Sequence, residues 1–179
     1  ATKVLASDYG FRDAVASGDR ETLSSALTNH GERINAGVAV FTNAQFELQA
    51  STERNATPFV AAVQRYARQS QTGGANNNKV EVINGQPYQI VAVPVRAPLV
   101  IGWVGMGFRV DETKLQDIRS LSGLEVALLR PRPPAGTEIA LSTLTRAQWP
   151  ALQQAWQASA SRATPLPRSV ELAGDEYSA

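Results

Sequence analysis

Apolar residues recur every three or four positions early in the chain and every second position in its middle. That change of period separates helices from strands. Residues 3–17 carry a modest helical stripe of Leu5, Tyr9 and Val15, interrupted at Ser17–Asp19. Asp19 is placed to cap a second helix, its carboxylate accepting from free first-turn amides. Leu23, Ala26, Leu27, His30 and Ile34 then share one helical face. The stretch VAVFTNAQFELQAST alternates as strand, tight turn at Asn43–Ala44, and strand. In TPFVAAVQRYARQ, Thr57 stands as the cap and Pro58 at the first helical position, where a missing N–H loses nothing. Phe59, Ala62, Val63, Tyr66 and Ala67 form its stripe, the clearest in the chain. Thr72–Asn78, rich in Gly and Asn, has the composition of a loop.

Period two takes over from Val80. Asn84–Gly85 joins Val80–Ile83 to a long strand as a hairpin turn, because both residues tolerate positive φ. A second turn falls near Ala97–Pro98, and the returning strand runs to Val110. Asp111 opens a short helix. A strand in GLEVALLRP, a proline-rich loop at Arg130–Gly136 and a strand in GTEIALSTL follow. A helix begins near Trp149 with Pro150 in its first turn, and a strand, a turn at Gly174–Asp175 and a further strand close the pattern. Hairpins dominate and parallel crossovers are absent, so the expected class is α+β with an antiparallel sheet.

The long hairpin, QPYQIVAVPVRAPLVIGWVGMGFRV, has two dissimilar faces. With its turn centred between Ala97 and Pro98, Ala92 opposes Trp103 and Tyr88 opposes Gly107. Val91, Val93, Val95, Val100, Val104, Met106 and Phe108 then form a face to be covered by a helix. The other face holds Tyr88, Ile90, Ala92, Pro94, Arg96, Ile101, Trp103, Gly105, Gly107 and Arg109. Large polar-tipped aromatics, arginines and space-leaving glycines together suit a small-ligand pocket, since arginine holds a carboxylate through parallel bonds. In the plainer reading, Tyr88 and Trp103 are core, and Arg96 and Arg109 sit at strand ends with their heads in water.

Composition narrows the chemistry. The 179 residues have a formal net charge of +1 with both signs interspersed, which lacks the basic stripe of a nucleic-acid binder. Cysteine is absent and His30 is the only histidine, which excludes disulfides, thiolate metal sites and Cys–His chemistry. The lack of thiols fits an oxidising compartment. Neither a nucleophile elbow nor a phosphate loop occurs. The glycines of GWVGMGF lie inside a strand rather than before a helix, unlike a dinucleotide fingerprint. Catalytic residues, cofactors and metals are therefore not expected. No run reaches the ~20 apolar residues of a spanning helix. The absence of an initial Met leads to the expectation of a piece of a longer chain.

The motifs resemble a known family. LASDYGFRDAVASGDRETLSSAL is similar to the kinked N-terminal helix of a double Cache sensory domain, and AVFTNAQFELQAST to its first hairpin. NGQPYQIVAVPVRAPLVIGWVGMGFRVDE resembles the family's central meander, SGLEVALL its passage into a second module, and STL with GDEYSA that module's start. The resemblance implies a PAS-like first, membrane-distal module with the N-terminal helix over residues 1–121. Residues 122–179 would be the start of a smaller second module lacking its closing strands. It further implies a periplasmic domain of a bacterial inner-membrane signalling protein. Such a domain dimerises through its N-terminal helices and passes the binding of a small molecule to a cytoplasmic diguanylate cyclase, phosphodiesterase or sensor kinase. The membrane would be met only through segments outside this chain.

The tyrosine–arginine–tryptophan pattern by which some double Cache domains grip amino acids is not found, so no ligand carries over. The hairpin face supplies Tyr88, Arg96, Trp103 and Arg109 as candidate ligand-binding residues, with Tyr66, Ser51 and Thr52 as further walls. A carboxylate or other anion is the expected ligand. The alternative is a ligand-free structural, dimerisation or protein-interaction module; an enzyme finds no support in the residues.

Overall fold

A computed structural model describes residues 2–71, 79–132, 136–160, 169–172 and 175–178. The expected loop at Thr72–Asn78, the middle of Arg130–Gly136 and the turn residue Gly174 lie outside the described residues. The class is α+β, as the alternating periods predict. The chain divides into two compact units, residues 1–110 and 111–179. The division expected after residue 121 therefore moves forward to Asp111. This residue caps helix α5 (Glu112–Ser122) by accepting from Lys114 N at 2.9 Å, and α5 packs on a strand of the second unit.

The first unit opens with helices α1 (Thr2–Ser7), α2 (Tyr9–Ser17) and α3 (Arg20–Arg33). The single helix expected over 3–17 is broken at Asp8, whose carboxylate accepts from Phe11 N at 2.8 Å and caps α2. Gly18 closes α2 at φ 71°, and Asp19 caps α3 through Thr22, as its position in the sequence suggests. Strands β1 (Val38–Asn43), β2 (Leu48–Ser51), β3 (Lys79–Ile83), β4 (Gln86–Arg96) and β5 (Val100–Arg109) form one antiparallel sheet in the order β2-β1-β5-β4-β3. Helix α4 (Thr57–Gln71) crosses from β2 to β3. Asn84 and Gly85 take φ of 52° and 75°, the hairpin turn that their pairing announces.

Two separate cores flank this sheet. Leu5, Phe11, Leu23 and Leu27 of the N-terminal helices pack against Phe41, Val95, Val104 and Met106. On the other side Phe59, Val63 and Tyr66 of α4 pack against Val38, Val40, Ile90 and Trp103. Each face is thus apolar, and the alternation along each strand divides its residues between the two helical layers.

The glycines of β5 set how closely those layers approach. A Cβ at Gly105 would lie 2.1 Å from Val63 Cγ2, and one at Gly107 would lie 3.2 Å from the Phe59 ring. On the opposite face, a Cβ at Gly102 would meet Thr42 O at 2.3 Å and the Phe41 ring at 2.7 Å. The space that these glycines leave is filled by helix and aromatic side chains.

The second unit consists of α5, the hairpin β6 (Ala127–Pro131) and β7 (Thr137–Ser142), helix α6 (Trp149–Ala160), and the pair β8 (Ser169–Leu172) and β9 (Asp175–Ser178). A short 3₁₀ turn at Arg146–Gln148 leads into α6, with Thr145 and Gln148 bonded as a capping box. Trp149 Nε1 donates to Leu144 O at 3.2 Å, and the Arg146 guanidinium lies 5.2 Å from the Trp149 ring centroid. Arg119 pairs with Glu125 at 2.8 Å.

The glycine contacts rank three substitutions. Gly102→Ala and Gly105→Ala are expected to lose ~1–3 kcal/mol by overpacking. Gly107→Ala should lose less, because its tightest neighbour can yield by a few tenths of an ångström. Urea unfolding of the three variants checks the order.

Candidate functional site

The observed hairpin register differs from the expected one by two positions. Tyr88 pairs with Arg109, Ile90 with Gly107, Ala92 with Gly105 and Pro94 with Trp103. A shift of two preserves the faces, since side chains alternate with period two. The exception lies at the tip. The loop spans residues 97–99, and the register breaks between Val95 and Arg96, which pair with Gly102 and Val100. Ile101 is the extra residue of this bulge. Val100 consequently packs with the α4 core and Ile101 with the N-terminal-helix core, the reverse of the expected assignment.

Of the candidate residues, Tyr66, Tyr88 and Trp103 come together on the α4 face. Trp103 is 3% exposed and stacks on Phe46 with ring centroids 6.1 Å apart. Phe46 holds φ 65°, unusual for a bulky residue, in a loop organised by Asn43. Asn43 Oδ1 accepts from Gln45 N at 3.0 Å and Glu47 N at 2.9 Å. Tyr88 meets the edge of Phe59 at 5.1 Å. Tyr66 is 2% exposed, and its hydroxyl donates to Glu81 Oε1 at 2.5 Å, while Arg65 pairs with the same carboxylate. Burial and the adjacent Glu81 carboxylate push the Tyr66 hydroxyl well above its usual range.

The remaining candidates do not join them. Arg96 is exposed at the far end of β4, eight residues from Tyr88, a separation of ~26 Å along an extended strand. One small ligand cannot touch both. Arg109 is exposed and donates to Gln86 Oε1 at 2.8 Å. Ser51 Oγ bonds the backbone of Glu53, and Thr52 Oγ1 accepts from Ala39 N at 2.9 Å, so both hydroxyls serve the end of β2. Among the described residues, the α4 face on which Tyr88 and Trp103 lie is closely packed. The gap lined by Val38, Val40, Phe59, Val63, Ile90 and Gly105 has no room for a water molecule. Val63 and Phe59 occupy the volume that Gly105 and Gly107 leave open.

Thr42 lies on this same face, opposite Trp103, and is completely buried. Its hydroxyl has no hydrogen-bond partner among the described residues.

The open volume described here lies across the sheet. A groove of about 310 Å³ is bounded by the end of α2, the start of α3, Phe41 and Asn43 of β1, Gln49 of β2, and Ala97 and Ile101 at the hairpin tip. Arg20, Asn43 and Gln49 are its polar residues; Arg20 and Gln49 carry no sequence signal of function. They stand at a helix start and in a short strand, where such residues are ordinarily solvent-facing. Among the described residues, no group of three or more His, Cys, Asp or Glu side chains could hold a metal ion. Nor, among the described residues, is any helix long and apolar enough to cross a membrane.

Two substitutions read these environments. The raised Tyr66 ionisation means that the folded state keeps its proton while the unfolded chain releases it above pH ~10. Stability should therefore fall as pH rises beyond that point, and Tyr66→Phe should make the alkaline decline shallower in urea titrations at pH 9–11. Thr42→Val removes an unpaired buried hydroxyl while keeping its shape, and is expected to raise stability by ~1 kcal/mol in the same assay.

The model for the family described as "Double sensory domain of two-component sensor kinase" matches residues 1–179. Among solved structures, the sensor domain of the V. cholerae histidine kinase DctB superposes with a TM-score of 0.51 at 15% identity. That match covers 96% of this chain and 75% of the DctB domain. At that identity the likeness speaks for the fold. No curated protein matches. The PAS-like antiparallel sheet between two helical layers, followed by a second α+β unit, agrees with the family match over the full length. The chain belongs to the double Cache (dCache_3) family of sensory domains of two-component sensor kinases.

Proposed function

We propose that this chain is the periplasmic sensing domain of a bacterial inner-membrane sensor kinase, binding a small solute without transforming it. The observation that carries this reading is the family match over residues 1–179. The family description favours a histidine kinase as the cytoplasmic output over the diguanylate cyclase that the motifs also suggest. Non-catalytic binding agrees with a sequence that offers no nucleophile–base pair, no cysteine and one histidine. Homodimerisation through α1 and α2 belongs to the same proposal, with Tyr9 at 76% exposure offering an apolar contact at the start of α2.

A second reading has a specific observation behind it. The gap among the described residues of the α4 face has no room for a water molecule, as a ligand-free dimerisation or protein-interaction module would have it. A thermal-shift screen of the purified chain against carboxylates, amino acids and phosphates separates the two. A solute at ~100 times its Kd adds ~2.7 kcal/mol to the stability of the folded state, a rise in Tm of several degrees. A reproducible rise with one chemical class is the expected outcome. A flat screen transfers the assignment to the interaction module.

A further inference from the structure

We infer that the groove between the N-terminal helices and the sheet binds a small organic monocarboxylate with an apolar body, a proposal that rests on the sensing role above. It lies on the opposite side of the sheet from Tyr66, Tyr88 and Trp103.

The lining selects this chemistry. Val15, Leu23, Phe41 and Ile101 make an apolar floor, and the volume of about 310 Å³ falls within the range of small-molecule sites. Among the described residues, Arg20 is the only cation on the wall and no carboxylate lines it. The Arg20 side chain is exposed and pairs with no acidic group among the described residues, which leaves its planar fork available for a carboxylate. Gln49 donates through Nε2 to Glu47 O at 3.2 Å, and its amide oxygen faces no described donor. Asn43 is consumed by its own loop, bonding Gln45, Glu47 and the Glu47 carboxylate, so it contributes shape rather than recognition.

The neighbouring carboxylate does not cancel the cation. Asp19 is held by Thr22 N at 3.1 Å and Thr22 Oγ1 at 2.6 Å, and those bonds keep its ionisation below the usual range. Its carboxylate stays ionised but turns to the start of α3 and is not part of the groove lining, where Arg20 is the charged side chain among the described residues. An alkylammonium or a dication would meet the guanidinium unfavourably. A dicarboxylate would carry one charge into a wall of Phe41 and Ile101.

The fold builds this groove from three sequence features. The α2–α3 break at Gly18 opens the helical layer there, with no atom within 4 Å of a Cβ placed on that glycine. The bulge turns Ile101 onto this face. Gly102 lets the Phe41 ring settle against the strand backbone, deepening the floor.

Titration of the ¹⁵N-labelled chain with hexanoate tests the proposal, with hexylamine and hexanol as controls. Amide shifts confined to Gly18, Arg20, Ala97 and Ile101 are expected with hexanoate. Arg20→Ala should weaken its Kd about tenfold or more, the loss of one charge-assisted contact. Ala16→Trp should block the groove and abolish the shifts, with Ala97→Trp as a second blocking variant should the first fail to fold. Arg96→Ala should leave the Kd unchanged. Shifts that map to α4 and β3, or an Arg20→Ala variant that binds hexanoate as tightly as the parent, overturn the assignment. If hexanoate gives no shift while another solute raises Tm in the screen, the groove proposal fails and the sensing role stands. If neither responds, both fail.

Discussion

The closeness of α4 to β5 governs the first unit. Val63 sits where a Cβ of Gly105 would be, 2.1 Å from that hypothetical atom, and the Phe59 ring nearly touches Gly107. Protein interiors are packed at crystal-like density, so a helix that approaches so far fills the space beside Gly105 and Gly107. Tyr66 then lies within reach of Glu81 on the edge strand, and the Tyr66–Glu81–Arg65 contact ties the helix to β3. The same approach confines Trp103 between the helix and Phe46, whose left-handed backbone is held by three bonds to Asn43. One steric fact thus explains why residues with polar tips and space-leaving neighbours form a filled core.

That packing also divides labour between the faces. The α4 side carries the larger aromatics, and the gap among its described residues has no room for a water molecule. The N-terminal-helix side has a comparably apolar core, of which the Phe11–Phe41 edge contact at 5.4 Å is the centre, yet it stops short of the sheet's end. There the helical layer turns at Gly18 and leaves Ile101 half-buried beside the buried Phe41. Apolar floor and a single unpaired cation meet at that edge. Recognition in water needs such a combination, because apolar burial supplies affinity while one placed charge supplies orientation.

Much of the fold was legible in the sequence, and the failures have identifiable causes. Asn84–Gly85 specified its turn because left-handed backbone is needed at both positions. Asp19 and Asp111 specified helix starts because their carboxylates stand just before the apolar stripes. Asp8 escaped notice since the stripe of Leu5 and Tyr9 runs through the break. The hairpin faces survived a register shift of two, which parity hides. The bulge at Ile101 did not survive it, since an extra residue beside a loop leaves no periodic trace. The supposed pocket failed for a different reason. Glycines in a strand announce that something approaches closely, but alternation cannot say whether it is a ligand or the valine of a helix. The α5 boundary was misplaced because a helix between two strand-rich segments reads equally well with either; its packing on β7 decides.

A solute shifts a signalling equilibrium only if its contacts differ between the two arrangements. Contacts on the α4 side bind helix to sheet so tightly that a small displacement there would meet Val63 against β5 backbone. The groove is different in kind. Its walls come from α2, α3, β1, β2 and the hairpin tip, and the helical wall is anchored by local bonds at the junction, with Asp19 N donating to Ala14 O at 3.0 Å. Those bonds tie the end of α2 to the start of α3 at Gly18. A slide of that junction over the sheet would change the span from Arg20 to Ile101, two residues that line the groove. A molecule bridging this span would favour one position of the N-terminal helices over another, and binding energy would thereby become a helix displacement.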